Sequence, residues 1–391
     1  MKIFLAHNYY QNPGGEDGAF KADAAILEAH GHDVHRFTMH NDAVKAMSRV
    51  QVIRATLWNQ QVYQELRDLF TQHKFDVAHF HNTFPLISPA AYAAAQDSGV
   101  PVVQTLHNFR LVCPSAILYR DGHVCEDCLH SSLALPGILN GCYRGSRFQS
   151  GAVALLNTTH QVRKTWFTQV DRYIALTEFG RRKFIEAGFP AEKIAVRPNF
   201  LDADPGVRTG DGSYALFLGR LNPEKGVRTL LEAWRQIPQD IPLKIVGEGE
   251  LKAEAQAAIT QHGLNVELLG WRSPAEVLDL IKAARFVIFP SEWYETFGRV
   301  VIEAFACGVP VIASKLGAST ETVEHGRTGL HFEAGNPASL AETVRNLWGD
   351  VAAVHTYGSA GRREFELKYT AERNYDRLVE IYQNLERNPV H

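Results

Sequence analysis

The sequence predicts an α/β protein with two doubly wound domains, and three observations support this class. Short apolar runs of strand length alternate with amphipathic stretches of helix length along the whole chain, which is typical of parallel sheets covered by helices. The length of 391 residues exceeds what one hydrophobic core usually serves. A Pro-, Gly- and Asp-rich stretch over residues 199–206 separates two such series, so we expect the domain boundary between residues 200 and 212.

The first domain is expected over residues 1–200. Its buried strands are predicted at Lys2 to Ala6, Asp33 to Phe37, Val77 to Phe80, Val102 to Leu106 and Tyr173 to Leu176. Residues 108–145 interrupt this rhythm, because they are irregular and hold four of the five cysteines. A long functional loop is predicted there.

The second domain is expected over residues 212–370. Its strands are predicted at Tyr214 to Leu218, Leu243 to Val246, Val266 to Leu269, Phe286 to Phe289, Val309 to Ala313 and Leu330 to Phe332. Apolar residues recur at helical spacing between Glu372 and Leu385, so residues 371–391 should form a helix that packs back on the N-terminal domain. Two doubly wound domains that face each other bind ligands in the cleft beyond the carboxyl ends of their strands.

Composition excludes some functions. Hydrophobic residues make up 45% and charged residues 21%, and no apolar run approaches the roughly 18 residues of a membrane span. The opening MKIFLAHNYY does not resemble a signal peptide, so we expect a cytoplasmic protein. The formal charge of −3, without basic runs interleaved with aromatic residues, argues against nucleic-acid binding.

Charge is nevertheless unevenly distributed along the chain. Residues 144–197 carry ten Lys or Arg against four Asp or Glu, a surplus of six. This surplus could face an anionic acceptor or the inner face of a membrane, or it could be an ordinary solvated helical face.

The most informative segment runs from Pro290 to Ser314 and predicts a loop, a helix and a strand. Glu295 is expected in the loop and Glu303 inside the helix. They would lie about 10 Å apart along the axis, at ~1.5 Å per residue, which suits two ends of one extended ligand and not a close acid/base pair. A helix that begins near Phe297 and Gly298 also offers free backbone N–H groups to a diphosphate.

This segment resembles the E-x7-E signature of the family 4 glycosyltransferases, which have the GT-B fold of two Rossmann-like domains. The resemblance depends on Glu295 and Glu303, with Phe297-Gly298 between them and Gly308-Val309-Pro310-Val311 after them. It implies that Glu295 contacts hydroxyls of the donor sugar and that Glu303 holds the ribose of the nucleotide. Two carboxylates at this spacing alone would more often be ordinary helix-face residues, but the surrounding residues favour the family.

A second element, over residues 217–226, is similar to the G-R-x-x-x-x-K-G loop of the same family. By this resemblance Arg220 and Lys225 bind the pyrophosphate and neutralise the leaving nucleotide diphosphate. Arg offers a planar fork for this task and Lys a point charge. Arg272 matches a family segment that lies beside the nucleotide base.

One glycine pattern in the second domain initially suggests a dinucleotide-binding site. Residues 246–250, Val-Gly-Glu-Gly-Glu, resemble the start of a dinucleotide-binding fingerprint. Lys252 stands where the third glycine should be, so a dehydrogenase is disfavoured.

The first domain supplies two further candidates. Gly15 belongs to Pro13-Gly14-Gly15-Glu16-Asp17, a loop that meets the donor phosphate and acceptor in the family; its alternative is a tight turn with an acidic residue at a helix start. His107 ends a predicted strand and matches the family histidine that contacts the donor sugar near the reacting carbon. A lone histidine at a strand end is otherwise often structural, but its place at a carboxyl edge favours function. His79 and His81, which end an earlier predicted strand, are secondary candidates for contacts with the acceptor.

Four cysteines cluster in the irregular loop. Cys113, Cys125, Cys128 and Cys142 have the spacing C-x11-C-x2-C-x13-C. They could hold a structural zinc ion if they converge in space, and otherwise they are buried thiols. No catalytic metal is expected, because the only Asp-x-Asp lies in the linker.

The resemblance therefore implies a metal-independent retaining hexosyltransferase that uses a UDP-, GDP- or ADP-linked sugar and a glycan or lipid-linked acceptor. Retention in this family is attributed to same-face attack, in which the leaving diphosphate accepts the proton of the acceptor. Three alternatives remain at this point: a nucleotide-sugar epimerase or hydrolase, a non-catalytic nucleotide-sugar-binding protein, and an interaction module built on a zinc loop. The first would form product without an acceptor, and the other two would turn nothing over.

Overall fold

The computed structural model describes residues 1–11, 14–131 and 133–387, and the chain divides into two compact units. The first unit comprises Met1–Leu118, Cys125–Asp202 and the described C-terminal residues from Ala371 onward. The second comprises Tyr119–Val124 and Ala203–Thr370. Each unit contains one parallel six-stranded sheet covered by helices, which confirms the predicted α/β class.

The elements of the first unit follow one another in a βα rhythm. In chain order they are β1 (Lys2–Tyr9), α1 (Gly15–Ala29), β2 (Asp33–His40), α2 (Arg49–Leu57), α3 (Gln60–Gln72), β3 (Val77–Asn82), α4 (Ala90–Gln96), β4 (Val102–Leu106), the short hairpin β5 (Tyr119–Arg120) and β6 (His123–Val124), α5 (Leu135–Leu139), α6 (Arg147–Val162), α7 (Thr165–Thr168), β7 (Arg172–Ala175), α8 (Glu178–Glu186) and β8 (Ile194–Val196). The hairpin itself groups with the second unit. The sheet order is β2-β1-β3-β4-β7-β8.

The second unit repeats the scheme. It contains β9 (Ala215–Leu218), α9 (Val227–Trp234), β10 (Leu243–Val246), α10 (Lys252–His262), β11 (Val266–Gly270), α11 (Pro274–Ala283), β12 (Phe286–Phe289), α12 (Arg299–Ala306), β13 (Val311–Ser314), α13 (Ser319–Thr322), β14 (Gly329–Phe332), α14 (Pro337–Gly349) and α15 (Val351–Lys368). The sheet order is β11-β10-β9-β12-β13-β14. A final helix, α16 (Ala371–Arg387), returns to the first unit.

The cores follow from the sequence pattern of the strands. β4, β9, β12 and β13 are buried at every residue, as expected of parallel strands covered on both faces. In the first unit α16 contributes Leu378, Ile381, Tyr382 and Leu385 to one cluster with β1, β3, β4 and β7. Among the described residues, no helix is both long enough and apolar enough to cross a lipid bilayer.

The predicted strands lie where the structure has strands, and the differences are mainly at the strand ends. β1 and β2 each extend three residues beyond the predicted run, because polar residues at a strand end carry no apolar signal. β8 and the β5–β6 hairpin were not predicted, since two or three residues are too few to show a period. Tyr119 of the hairpin lies near the carboxylates of Glu224 and Glu292, which together with burial raise its pKa.

Candidate functional site

The order of the strands marks one candidate site in the second unit. The chain enters the sheet at β9, adds β10 and β11 on one side and then β12 to β14 on the other. The loops after β9 and β12 therefore diverge at the point where the order reverses, and ligands of doubly wound sheets bind at that point. These two loops carry the predicted donor-site residues.

The loop after β9 is fixed by a close approach of two backbones. Gly226 has φ 72°, and a Cβ at this position would lie 2.0 Å from the carbonyl oxygen of Pro290. Only glycine fits both the left-handed conformation and this contact. Gly226 thereby holds the end of the β9 loop against the start of the β12 loop, and Lys225 is adjacent to this junction.

Lys225 and Glu295 meet across the two loops. The Lys225 Nζ atom donates to Glu295 Oε1 at 2.6 Å, and the Ser291 hydroxyl donates to the same oxygen at 2.7 Å. The two charged side chains are 17% and 7% exposed. The Lys225 Nζ atom also lies 4.9 Å from the centre of the Trp293 ring, a cation–π distance. The structure thus joins two predicted residues into one oriented, mostly buried ion pair.

Helix α12 positions the second glutamate of the motif. Gly298 precedes its first turn, and a Cβ there would lie 3.1 Å from the Phe289 ring, so the helix start is packed closely against β12. Glu303 lies within the helix and accepts from Arg299 Nε at 3.2 Å. Burial raises the pKa of Glu303, and the Arg299 charge opposes that rise. Phe297 is buried and packs edge-on against Tyr369 at 6.0 Å within the same unit.

The two predicted arginines are more exposed than Lys225. The Arg220 side chain is 66% exposed and lies 3.5 Å from Glu224. Arg272 is partly exposed and donates to the backbone oxygen of Trp271. Both side chains are long enough to reorient toward a ligand, although Glu224, the partner of Arg220, is itself mostly buried.

The glycines after β10 have a structural explanation. A Cβ at Gly247 would lie 1.9 Å from the Gly219 carbonyl oxygen, and a Cβ at Gly249 would lie 2.4 Å from that of Leu221. The β9 loop and the β10 loop are also joined by backbone hydrogen bonds, including Leu221 N–H to Glu248 O. These glycines accommodate the backbone of the β9 loop, so the sequence pattern is not a cofactor fingerprint.

The first unit presents a different kind of site at the carboxyl ends of β1, β3 and β4. His107 follows β4, is 8% exposed, and its Nε2 atom lies 2.9 Å from His81 Nδ1 at the end of β3. His81 Nε2 in turn lies 3.3 Å from Asp23 Oδ2 on α1, an ion-pair distance without the alignment of a hydrogen bond. Arg197 binds the same carboxylate with both terminal nitrogens, at 2.9 Å and 2.5 Å. A buried chain thus connects Arg197, Asp23, His81 and His107.

Burial determines which of these connected side chains are charged. It lowers the pKa of His107 and of His79 well below the usual value, with nearby His81 adding to the effect. It also lowers the pKa of His81, although Asp23 opposes that change. The pKa of Asp23 is held far below its usual range by Arg197 and His81, which outweigh the desolvation of the carboxylate. At neutral pH the imidazoles are therefore neutral and the carboxylate is ionised.

Asp23, His79 and His81 also bring three ligand-type atoms within 4.8 Å of one another, a geometry that could suggest a metal. The guanidinium of Arg197 already neutralises Asp23. Both ring nitrogens of His79 are hydrogen bonded, at 2.7 Å each, to Tyr382 and Thr105. These partners account for Asp23 and His79 without a metal, while His81 Nε2 makes no hydrogen bond to the described residues.

The glycine loop after β1 leaves space near Gly15. Apart from chain neighbours and the backbone of α1, no atom of the described residues lies within 4 Å of a Cβ built at Gly14 or Gly15, so their packing does not require either glycine. The Gly14 N–H donates to Asp17 Oδ2 at 2.9 Å, which caps the start of α1. Both interpretations of the loop therefore remain compatible with the structure. Pro13, also part of the motif, lies outside the described residues.

The four loop cysteines lie in one region of the first unit. Cys113 and Cys128 are buried, Cys125 and Cys142 are partly buried, and none forms a disulfide. Burial raises the pKa of Cys128 to about 11, and Cys113, Cys142 and Cys125 are close enough to contribute. The loop is also tightly packed, since a Cβ at Gly137 would meet both Pro114 and Cys128. The predicted zinc site remains a prediction.

The sequence did not predict several functional neighbours. Ser291 and Trp293 lie beside Glu295 in the motif, but their contacts with Glu295 and Lys225 depend on loop conformation. Asp23 and Arg197 are 174 residues apart, so no local pattern connects them. His81 was already a sequence candidate, because it ends an apolar run next in the chain to that of His107.

Two family models match the chain in adjacent regions. The model described as Glycosyltransferase Family 4 matches residues 24–205, and the model described as Glycosyl transferases group 1 matches residues 203–364. Together they span both units from α1 to α15.

Curated relatives and solved structures agree with these models. An uncharacterised glycosyltransferase of Methanocaldococcus jannaschii is 34% identical over 45% of this chain and 49% of its own length. The chain thus spans about half the length of the first curated relatives it matches. A glycogen synthase of Mycobacterium tuberculosis is 28% identical over 86% of this chain and 74% of its own. The HepE protein of Anabaena, crystallised with UDP and glucose, superposes with a TM-score of 0.70 at 22% identity, over 97% of this chain and 98% of that one.

Proposed function

Because the chain belongs to the GT4-type glycosyltransferases of GT-B fold, we propose that it transfers a sugar from a nucleotide-diphospho-sugar to an acceptor with retention of anomeric configuration. The acceptor proposed is a glycan or a lipid-linked glycan, and no metal ion takes part in the reaction. The relatives named as glycosyltransferase and glycogen synthase, and the neighbour crystallised with UDP and glucose, support this assignment.

One observation carries the proposal, namely the Lys225–Glu295 pair at the reversal point of the second sheet. Glu295 holds one N–H of the ammonium at 2.6 Å. An ammonium has three N–H groups, so Lys225 can keep Glu295 as a partner while it donates to a diphosphate oxygen. The remaining oxygen of Glu295 can accept from sugar hydroxyls. One buried pair can thus bind the phosphate and the sugar of the same donor.

The other residues complete a donor site in this proposal. Arg220, with a planar fork and freedom to move, adds a second cation for the pyrophosphate. Glu303 accepts from the ribose hydroxyls, and Arg272 approaches the base. In the first unit, neutral His107 contacts the donor sugar, and the open space at Gly15 admits a substrate close to the backbone.

The reaction proposed needs no enzymic nucleophile. The bond from the anomeric carbon to the β-phosphate oxygen breaks, and that oxygen takes the electron pair. The acceptor oxygen forms its bond to the anomeric carbon on the same face, and its proton passes to the leaving diphosphate. Lys225 and Arg220 stabilise the charge that develops on the diphosphate, a preorganised electrostatic contribution.

A thermal-shift screen tests the donor site. The full-length protein is heated with UDP-, GDP- and ADP-sugars, in parallel with Lys225→Ala, Glu303→Ala and the control Arg228→Ala. Arg228 is an exposed cation that pairs with Glu254 on the same unit. We expect stabilisation by one nucleotide class, lost in the first two variants and kept in the control. No shift by any nucleotide sugar at millimolar concentration would contradict the proposal.

Product analysis then separates transfer from the alternatives. With the donor selected by the screen, NMR should detect an α-linked product from an α-linked donor only when an acceptor is present. Sugar release or isomerisation at the same rate without any acceptor would indicate a hydrolase or an epimerase instead.

We also propose that Cys113, Cys125, Cys128 and Cys142 hold a structural zinc ion, since zinc prefers thiolate ligands and the other three cysteines lie close enough to Cys128 to affect its pKa. Purified protein should contain one zinc per chain by elemental analysis. Cys128→Ser should lose the metal, whereas Cys307→Ser, which changes the remaining cysteine, should retain it. Metal-free wild-type protein purified without chelators would contradict this proposal.

A further inference from the structure

An apolar surface is exposed on the first unit around helices α5 and α6. Phe148, Leu155 and Val162 of α6 are 57%, 49% and 74% exposed. They follow one another at intervals of seven residues, so they form a single stripe along the helix. Residues 148–162 include no Asp, Glu, Lys or Arg. A solvent-facing helix normally places charges on that side, so this uncharged stripe needs a partner.

Neighbouring elements extend the stripe into a wider patch. Leu133, just before α5, and Leu135 and Leu139 within it are 60%, 51% and 56% exposed. Helix α5 packs against α6, and so does α2. We call this patch the docking face; its apolar residues are Leu133, Leu135, Leu139, Phe148, Leu155 and Val162. Six exposed large apolar side chains on two packed helices and the turn before them exceed the scattered single residues that a monomer normally shows.

The segments that form the docking face carry charges of one sign, and Glu186 of α8, which lines a groove with Ala134 and Gln161, is paired with Lys183. Residues 43–64 and 129–170 include no Asp or Glu. Exposed cations surround the apolar residues, and the Arg49 guanidinium lies 5.9 Å from the centre of the Phe148 ring. The cations of α2, α6 and their flanking turns are Arg49, Arg54, Arg144, Arg147, Arg163 and Lys164. An apolar surface with a mainly cationic rim matches a partner that is apolar inside and anionic at its surface.

The structure also divides the basic stretch of residues 144–197. Its second half is engaged internally: Arg181 donates to the backbone oxygens of Ala191 and Ile194, and Lys193 donates to those of Phe167 and Val170. Arg197 is buried against Asp23. Arg182 stays exposed in that half, and the other exposed, internally unengaged cations of the stretch are concentrated in residues 144–164, on the docking face itself.

We infer that the docking face binds the surface of a lipid bilayer that contains anionic lipids. Leu and Phe side chains would enter the boundary between headgroups and acyl chains, while the cations contact lipid phosphates, as amphipathic interfacial helices do. A second copy of the chain fits less well, because two such faces would place mainly cations opposite cations. The inference does not depend on the donor site.

Vesicle flotation with the full-length protein tests the inference. Wild type should float with vesicles of phosphatidylcholine and phosphatidylglycerol, and much less with phosphatidylcholine alone. Phe148→Ser/Leu155→Ser and Arg49→Glu/Arg163→Glu should each weaken partitioning at least tenfold, since each cation near an anionic surface contributes about fivefold. The control Lys74→Glu/Arg182→Glu carries the same charge change on exposed cations of other segments and should stay within threefold.

Melting temperatures serve as a control. The side chains changed are exposed, so all variants should melt as wild type does, and a loss of flotation is then caused by the altered surface and not by unfolding. Three results would overturn the inference. Absence of wild-type binding to anionic vesicles at 0.1 M salt would reject a membrane partner. Equal binding by the face variants and wild type would reject this surface. A dimer in sedimentation that Phe148→Ser/Leu155→Ser dissociates, without vesicle binding, would identify the face as a contact between copies.

Discussion

The carboxyl edges of the two sheets place their charged residues in contrasting ways. In the second unit Lys225 and Glu295 lie on neighbouring loops, 70 residues apart, and meet at 2.6 Å beside half-exposed loop residues. In the first unit His107, His81 and Asp23 are buried, and Arg197 reaches Asp23 from 174 residues away. The first arrangement leaves cations able to reach a ligand. The second holds the imidazoles in fixed positions. If one polar group there were removed, its buried partner would lose its hydrogen bond, and no water could replace it.

This contrast predicts that the largest single effect on stability arises in the first unit. Asp23→Asn leaves the buried guanidinium of Arg197 without a counter-charge, and breaking a buried pair in this way costs ~3–5 kcal/mol. The matched change Asp204→Asn, in the half-exposed pair with Arg362 of the second unit, should cost at most ~1 kcal/mol. Urea unfolding of both variants measures the difference. Equal losses would mean that burial does not distinguish the two units.

The largest effect on turnover should arise in the second unit. Lys225→Ala removes a preorganised donor to the leaving diphosphate, which we expect to lower kcat by about 10²–10³-fold. Release of nucleoside diphosphate from the donor selected by thermal shift measures this. Arg228→Ala should remain within about twofold of wild type, since its partner Glu254 lies on an exposed surface. A comparable loss in both variants would indicate a general electrostatic effect and not a site.

The two units should also respond differently to acid. Buried His79 and His107 have pKa values well below the usual one, so the folded state keeps them neutral while the unfolded state binds protons near pH 6.5. The unfolding free energy of the first unit should therefore fall as pH drops from about 6.5 to 5, by about 1.4 kcal/mol per pH unit for each histidine.

Hydrogen exchange can measure how the unfolding free energy depends on pH separately in β3 of the first unit and in β10 of the second. His79→Gln removes one of the histidines that take up a proton on unfolding, so the unfolding free energy measured in β3 should depend less steeply on pH. His355→Gln, at an exposed position of the second unit, should leave this dependence unchanged. A slope that is identical in β3 and β10, and insensitive to His79, would contradict the assignment of neutral buried imidazoles.

The same contrast explains how far sequence alone could lead. The fold class and most strands were predictable because apolar runs of strand length are a local signal. Lys225 and Glu295 could be proposed as site residues because their motifs are short and lie directly after strands. The pairing of the two residues, and the role of Ser291, depend on Gly226 fitting against the Pro290 carbonyl, which is a contact between distant segments.

Contacts between side chains far apart in the sequence of the first unit could not be predicted from any local pattern. His81 and His107 become neighbours because β3 and β4 pair in register, with Phe80 opposite Gln104. Asp23 reaches them from the buried side of α1, and Arg197 from the end of β8. The docking face was equally hidden, since an exposed apolar residue has the same sequence signature as a buried one until the packing is known.

The smallest effect we expect concerns His81, a positioning residue for His107. If His81 directs its Nε2–H toward Asp23, its Nδ1 atom accepts the Nε2–H of His107 and fixes that ring at the observed 2.9 Å. His81→Leu removes the acceptor and should lower kcat about tenfold, less than the ~10²-fold that a 1 Å misplacement can cost. Donor affinity should change less than twofold, because the second unit supplies the proposed phosphate contacts.

A conservative variant separates positioning from packing. In His81→Asn the amide oxygen can take the place of Nδ1 as acceptor, so kcat should recover to within about threefold of wild type. His79→Gln, in the same buried cluster but bonded to Tyr382 and Thr105, should leave kcat nearly unchanged while it lowers stability. If His81→Leu and His81→Asn lower kcat equally, the ring of His107 is not held by this hydrogen bond. Its orientation would then come from the packing around β4, and the buried chain of the first unit would serve stability alone.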